Sequence, residues 1–77
     1  MVTPESVKAG IASGLACEHL EVEGDGQHFQ ALIVSAAFAG KSRVQRHQLV
    51  YAALGERMRE EIHALSMKTL TPEEWKA

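Results

Sequence analysis

Four histidines and a single cysteine are the side chains in this 77-residue sequence best suited to chemistry. Neutral imidazole and thiolate both ligate transition metals, so His19, His28, His47, His63 and Cys17 raise a metal question first. A second cluster is cationic: Lys41, Arg43 and Arg46 fall close together, with His47 beside them. Such a group suits phosphate or an acidic protein surface. Other candidates carry less. Cys17 has no evident histidine–acid escort and reads as a half-buried structural cysteine. Gly24-Asp25-Gly26 is no phosphate loop, because no helix pattern follows it. Glu60-Glu61 reads as a solvated helix face, and Met58 and Met67 as core filler. No nucleophile–base–acid constellation is present, so an enzyme is not expected.

Which of these residues can meet depends on the elements that carry them. Thr3-Pro4 offers an N-cap followed by proline at the first helical position, and Val7, Ile11 and Leu15 form one apolar stripe to about Leu15. His19 to Glu23 alternates with period two, the mark of a strand with one wet face. Gly24-Asp25-Gly26 then supplies a hairpin turn in which both Asp25 and Gly26 tolerate positive φ. Phe29 to Val34 is apolar except for Gln30 and reads as a central strand buried on both faces. After a connection from Ser35 to Gly40, Ser42 and Gln45 form an S-x-x-Q capping box that opens the longest helix. Val50, Leu54, Met58 and Ile62 are its stripe, with Tyr51 alongside. Ala64 to Leu70 returns to a strand pattern. Thr71-Pro72-Glu73-Glu74 opens a last helix, with Trp75 expected as a lid on the core. The fold class is α/β: one small domain over residues 1–77 in the order α-β-β-α-β-α, with helices packed on a three-stranded mixed sheet.

That order sorts the histidines. The crossover helix makes the second and third strands parallel, so their starts lie at one end of the sheet. His28 opens the second strand and His63 the third, and neighbouring strands lie about 4.8 Å apart, so the two imidazoles can converge. His19 and Cys17 open the antiparallel first strand and sit at the other end. His47 lies in the opening turns of the long helix, roughly 20 Å from its far end. Two imidazoles do not close a metal site, which needs three or four protein ligands. An incomplete set at a molecular edge is what a site shared between two proteins would present. The plainer alternative makes His28 a solvated turn residue and His63 a strand-edge histidine bonded to backbone. At the long helix, Lys41, Arg43 and Arg46 oppose the macrodipole at a cost of about 0.3–1 kcal/mol each where exposed. Such a breach of local preference fits a functional patch, and the alternative is a solvated helix end that aids solubility.

Composition bounds the rest. A chain of this length buries only about 60% of the surface its unfolded form exposes, which leaves little room for an enclosed enzyme cleft. Hydrophobic residues are 45% and charged residues 23%, ordinary globular values that argue against disorder. The net charge of -2 gives no global attraction to nucleic acid or to an anionic membrane. One cysteine excludes an internal disulfide framework. No apolar run reaches transmembrane length, and the first fifteen or so residues lack the unbroken apolar core of a signal peptide. A soluble cytoplasmic protein without a membrane partner is the expectation.

With those residues in view, the chain resembles the BolA family over nearly its whole length. The resemblance is densest in Gly24-Asp25-Gly26-Gln27-His28-Phe29, Phe38-Ala39-Gly40-Lys41-Ser42, Val44-Gln45-Arg46-His47, Ile62-His63-Ala64-Leu65 and Thr71-Pro72-Glu73-Glu74-Trp75. The short first helix and the histidine after the turn are similar to the bacterial IbaG-type subgroup. The resemblance implies a class II KH-like fold and a partner, a monothiol glutaredoxin, with which a 2Fe–2S cluster is shared. It implies that glutaredoxin supplies a cysteine together with glutathione, and that this chain supplies His63 and, as a histidine-type member, His28. Cys17 is not carried over. On this view the isolated protein holds no cluster and is a monomer or a weak homodimer, acting in iron–sulfur trafficking or iron homeostasis. The family is also linked to DNA binding and transcriptional control, which would fall to Lys41, Arg43, Arg46 and His47. Those four are equally candidate contacts for the protein partner. The sequence lacks the G-x-x-G loop of nucleic-acid-binding KH domains.

Overall fold

Thr3 starts the chain's first helix as its sequence requires. A computed structural model describes the backbone of residues 2–61 and 64–77 and the side chains of residues 2–55 and 64–77. The Thr3 hydroxyl accepts the Ser6 N–H at 3.1 Å, and the Ser6 hydroxyl accepts the Thr3 N–H at 2.9 Å, so two otherwise unpaired donors cap each other. Helix α1 runs Pro4–Gly14 and buries Val7 and Ile11. Strand β1 is His19–Gly24 and β2 is His28–Val34, joined antiparallel. A 3₁₀ turn at Ala36–Phe38 follows, with Phe38 fully buried. Buried Ser35 is satisfied there: its hydroxyl donates to the Ala16 carbonyl at 2.7 Å and accepts the Ala37 N–H at 3.1 Å. Helix α2 is Arg43–Glu61, strand β3 is Ala64–Leu70, and α3 is Pro72–Lys76. The Ser42–Gln45 and Thr71–Glu74 capping boxes both form.

The sheet order is β1-β2-β3, with β3 parallel to β2. This is the mixed three-stranded α/β arrangement expected from the order of elements. Phe29, Ala31 and Ile33 of β2 meet Val7 and Ile11 of α1 and Val50 and Leu54 of α2 in the core, with Leu20, Val22, Leu65 and Met67 against it. Gly14 lets α1 approach α2: a Cβ there would come within 2.7 Å of the Ala53 Cα. Among the described residues no helix is long and apolar enough to cross a membrane.

Four expectations change. β2 is central but not buried on both faces, because Gln30 is exposed and Leu32 half-buried while Phe29, Ala31 and Ile33 are inside. The long helix is interrupted at Gly55, whose φ of 82° and ψ of 163° are not helical. Met58 and Ile62 of its expected stripe lie outside the described side chains, whereas Val50 and Leu54 are buried as expected. Asp25 does not take positive φ; Gly26 does, at 101°, and Asp25 serves the turn through its carboxylate. Trp75 is no lid on the core: it is 42% exposed and stacks on His19, with ring centroids 4.6 Å apart.

Candidate functional site

The turn between β1 and β2 fixes where His28 stands. Asp25 Oδ1 accepts the backbone N–H groups of His28 at 2.9 Å and Gln27 at 3.0 Å, and the Asp25 N–H donates to the His28 carbonyl at 3.2 Å. The His28 amide, followed by that of Gln27, holds the Asp25 carboxyl below the usual carboxylate range. The backbone of His28 is thus tied while its side chain is 75% exposed, with Nδ1 3.9 Å from Asp25 Oδ2. Across the sheet the register partner of His28 is Ala64, and the Ala64 N–H donates to the Gln27 carbonyl at 3.3 Å. His63 precedes Ala64 in the sequence and lies outside the described residues. The parallel pairing that brings the two strand starts to one end is present. Among the described residues no group of three or more histidine, cysteine, aspartate or glutamate side chains is arranged to hold a metal ion. At this end the described structure presents one exposed imidazole at a strand start.

The other metal-capable residues lie elsewhere. His19 pairs with Val34, at the opposite end of β2 from His28. Its Nε2 contacts the Glu21 carboxylate and its ring stacks on Trp75. The Cys17 thiol donates to the Leu15 carbonyl at 3.3 Å, and burial pushes its pKa up, the reverse of what a reactive or ligating thiolate needs. His47 is half-buried on α2, with Nε2 enclosed and no hydrogen-bond partner among the described residues.

The cationic cluster divides. Arg46 turns inward: Nη1 donates to the Thr69 carbonyl at 3.0 Å and to Glu74 Oε1 at 2.8 Å, and Nε donates to the Lys41 carbonyl at 3.1 Å. Its guanidinium carbon sits 5.8 Å from the Phe38 ring centroid, and the side chain is 14% exposed. The same guanidinium, with the Thr71 amide behind it, holds the Glu74 carboxyl below the usual range. Lys41 and Arg43 remain exposed, and the surface they line continues onto exposed Lys68 of β3. Lys68 is not legible as part of this cluster from sequence, because it stands far from Lys41 and Arg43 in the chain. Its alternation with Met67 and Thr69 in a strand pattern was the one available signal.

The arrangement is one that known proteins share. The family described as BolA-like protein matches residues 2–74. Protein BOLA2 of Arabidopsis thaliana is 48% identical over 81 residues, which cover 99% of this chain and 86% of that protein. The DNA-binding transcriptional regulator BolA of Haemophilus influenzae is 48% identical over 59 residues, covering 77% of this chain and 57% of that protein. A solved structure of a bolA protein homologue from Coxiella burnetii superposes with a TM-score of 0.88 at 45% identity, covering 100% of both chains. Fold, length and sequence agree, and the chain belongs to the BolA-like family.

Proposed function

We propose that this protein is a cytoplasmic adaptor that pairs with a monothiol glutaredoxin and lends His28, together with His63, to a 2Fe–2S cluster bridging the two proteins. Its work is iron–sulfur trafficking or iron homeostasis, and it is not an enzyme. The observation that carries this reading is the exposed His28 imidazole on a fastened backbone, in register with Ala64 at the start of the parallel strand. A neutral imidazole suits iron, and its exposure lets a second protein reach it. The described residues do not complete a site, so glutaredoxin cysteine and glutathione would supply the remaining donors. Imidazole ligands in place of thiolates lower the negative charge on a cluster and make its binding sensitive to acid, which suits transfer or sensing. On this reading the isolated chain is a cluster-free monomer or weak homodimer.

The test mixes the protein with a monothiol glutaredoxin, glutathione, iron and sulfide without oxygen, and records visible absorption and circular dichroism. A spectrum distinct from that of the glutaredoxin alone, altered in His28→Ala and in His63→Ala, supports the reading. A parent protein that leaves the glutaredoxin spectrum untouched refutes it.

A second reading, a DNA-binding regulator, is favoured by the exposed Lys41, Arg43 and Lys68 and by the similarity to the Haemophilus influenzae DNA-binding transcriptional regulator BolA. Three phosphate contacts would give log K against log salt a slope of about -2.7 on duplex DNA. Removing Lys41 or Arg43 would lower that slope by about one each. Binding that is absent near physiological salt disposes of this reading.

A further inference from the structure

Strand alternation divides the side chains of the sheet between two faces, and α1 and α2 cover only one of them. On the other face α3 lies over one end. Trp75 stacks there on His19, and Val34 is fully buried although it stands outside the main core. Beyond α3, Glu21, Glu23, Gln30, Leu32, Ser66 and Lys68 line a shallow concavity. All of them except half-buried Leu32 are exposed.

The register orders these residues into rows across the sheet. Glu21 pairs with Leu32 and Leu32 with Lys68; Glu23 pairs with Gln30 and Gln30 with Ser66. The next row is that of His28 and Ala64. His28 therefore shares this face, about 13 Å along β2 from Leu32. Charge changes sign across it, acidic on β1, apolar and neutral on β2, basic on β3. Glu21 is engaged by His19, but among the described residues no ion pair takes up Glu23 or Lys68.

We propose that this open face is the docking surface for the protein that shares the His28 site. The partner meets it with a basic group at Glu21 and Glu23, an apolar side chain over Leu32 and an acidic group at Lys68. The inference rests on the glutaredoxin reading and deepens it by naming the surface and the charge pattern that the glutaredoxin must present. Two other occupants fit worse. Nucleic acid laid along the face would bring phosphate against Glu21 and Glu23. A second copy could set acids against Lys68 only about a two-fold axis parallel to the strands. That axis places both α3 helices at the same end, where a sheet-to-sheet gap of about 10 Å cannot hold two helices each about 10 Å across. The alternative axis, across the strands, sets β1 acids against β1 acids.

The test measures assembly of the cluster-loaded complex and its affinity with the full chain and a monothiol glutaredoxin. Parent, Glu23→Lys, Lys68→Glu, Leu32→Asp and a distant control on α2, Gln48→Glu, are compared after thermal melts establish that each is folded. Weakening of about tenfold or more by the three face variants, smaller at high salt for the two charge reversals and absent in the control, is the expected result. If the parent complex forms and every variant matches it, the docking face is refuted and the cluster reading stands. If the parent forms no complex, the cluster reading itself fails and this partner assignment falls with it. Face variants that alter duplex DNA binding or self-association in sedimentation, while sparing the glutaredoxin complex, assign the surface to those occupants and overturn the proposal.

Discussion

Arg46 holds three parts of the molecule together, and its removal shows whether the cationic cluster is one functional patch or two things in one place. The guanidinium ties the loop at Lys41, the β3 carbonyl of Thr69 and the α3 carboxylate of Glu74. In Arg46→Ala the Thr69 carbonyl loses a charged donor in a part-buried setting, while exposed Lys41 rehydrates freely. The half-exposed Glu74 pair adds little, because solvent screens it. The expected cost is therefore about 2 kcal/mol, set mainly by Thr69. At about 4–8 °C per kcal/mol for a domain of this size, Tm should fall by about 8–16 °C. Arg46→Lys should recover only part, since a single ammonium cannot reproduce the fork that serves three acceptors. Lys41→Ala and Arg43→Ala, both exposed, should stay within about 0.5 kcal/mol of the parent. Differential scanning calorimetry on the four variants decides it. An Arg46→Ala protein melting within about 2 °C of the parent would refute the reasoning and return Arg46 to the pool of ligand contacts.

Gly14→Ala should destabilise despite the gain in helix propensity, because overpacking against the Ala53 backbone at 2.7 Å costs about 1–3 kcal/mol against a gain of about 1; an unchanged or raised Tm would show that α1 and α2 separate easily. Gly55→Ala meets no neighbour within 4 Å, so its loss should come from backbone alone, about 1–3 kcal/mol for a conformation almost confined to glycine; an unchanged urea midpoint counts against the break in α2. The Asp25 and Glu74 carboxyls are depressed in the folded state, so their stabilising contribution is complete above the unfolded carboxylate range and is lost as pH falls below about 4. Urea midpoints across that window should fall less steeply in Asp25→Ala and Glu74→Gln than in the parent, and equal slopes would contradict the assignment.

Local chemistry was legible in the sequence and distant chemistry was not. Thr3-Pro4, Ser42 with Gln45, and Thr71 to Glu74 are caps whose donors and acceptors lie within one turn, so residue type and spacing determine them. The parallel return of β3 follows from a helical crossover, and with it the position of His28 beside Ala64. Gly55 was missed because an apolar stripe at i+4 steps looks the same on both sides of a break. The open face of β2 is not legible because Leu32 and Val34 are both apolar, although Val34 is fully buried and Leu32 only half-buried. Arg46 read as a free cation because two of its acceptors, at Thr69 and Glu74, come from another strand and helix. The stacking of Trp75 on His19 likewise joins distant segments, which no local pattern encodes.

The two ends of β2 differ in a way that bears on function. At the Val34 end the side chains are closed in: Ser35 is bonded into the interior, His19 is stacked and paired, and Arg46 clamps α3 to β3. At the His28 end the backbone is fastened by the Asp25 carboxylate and by Ala64, but the imidazole stays exposed. A donor lent to another protein needs both properties. A loose backbone would cost ordering entropy each time the partner bound, and a buried ring would have to be exposed first. On the proposed reading Asp25 would position His28, acting through the amides of the turn that its carboxylate accepts. Its ion pair with the ring, at 3.9 Å between highly exposed groups, contributes little and leaves the imidazole available to a third party. The same exposed turn would be a liability in a protein that kept a cluster for itself, since water and oxidant would reach it as readily as a partner. On the proposed adaptor reading, in which the half-site is completed only on contact, that exposure would make the exchange possible.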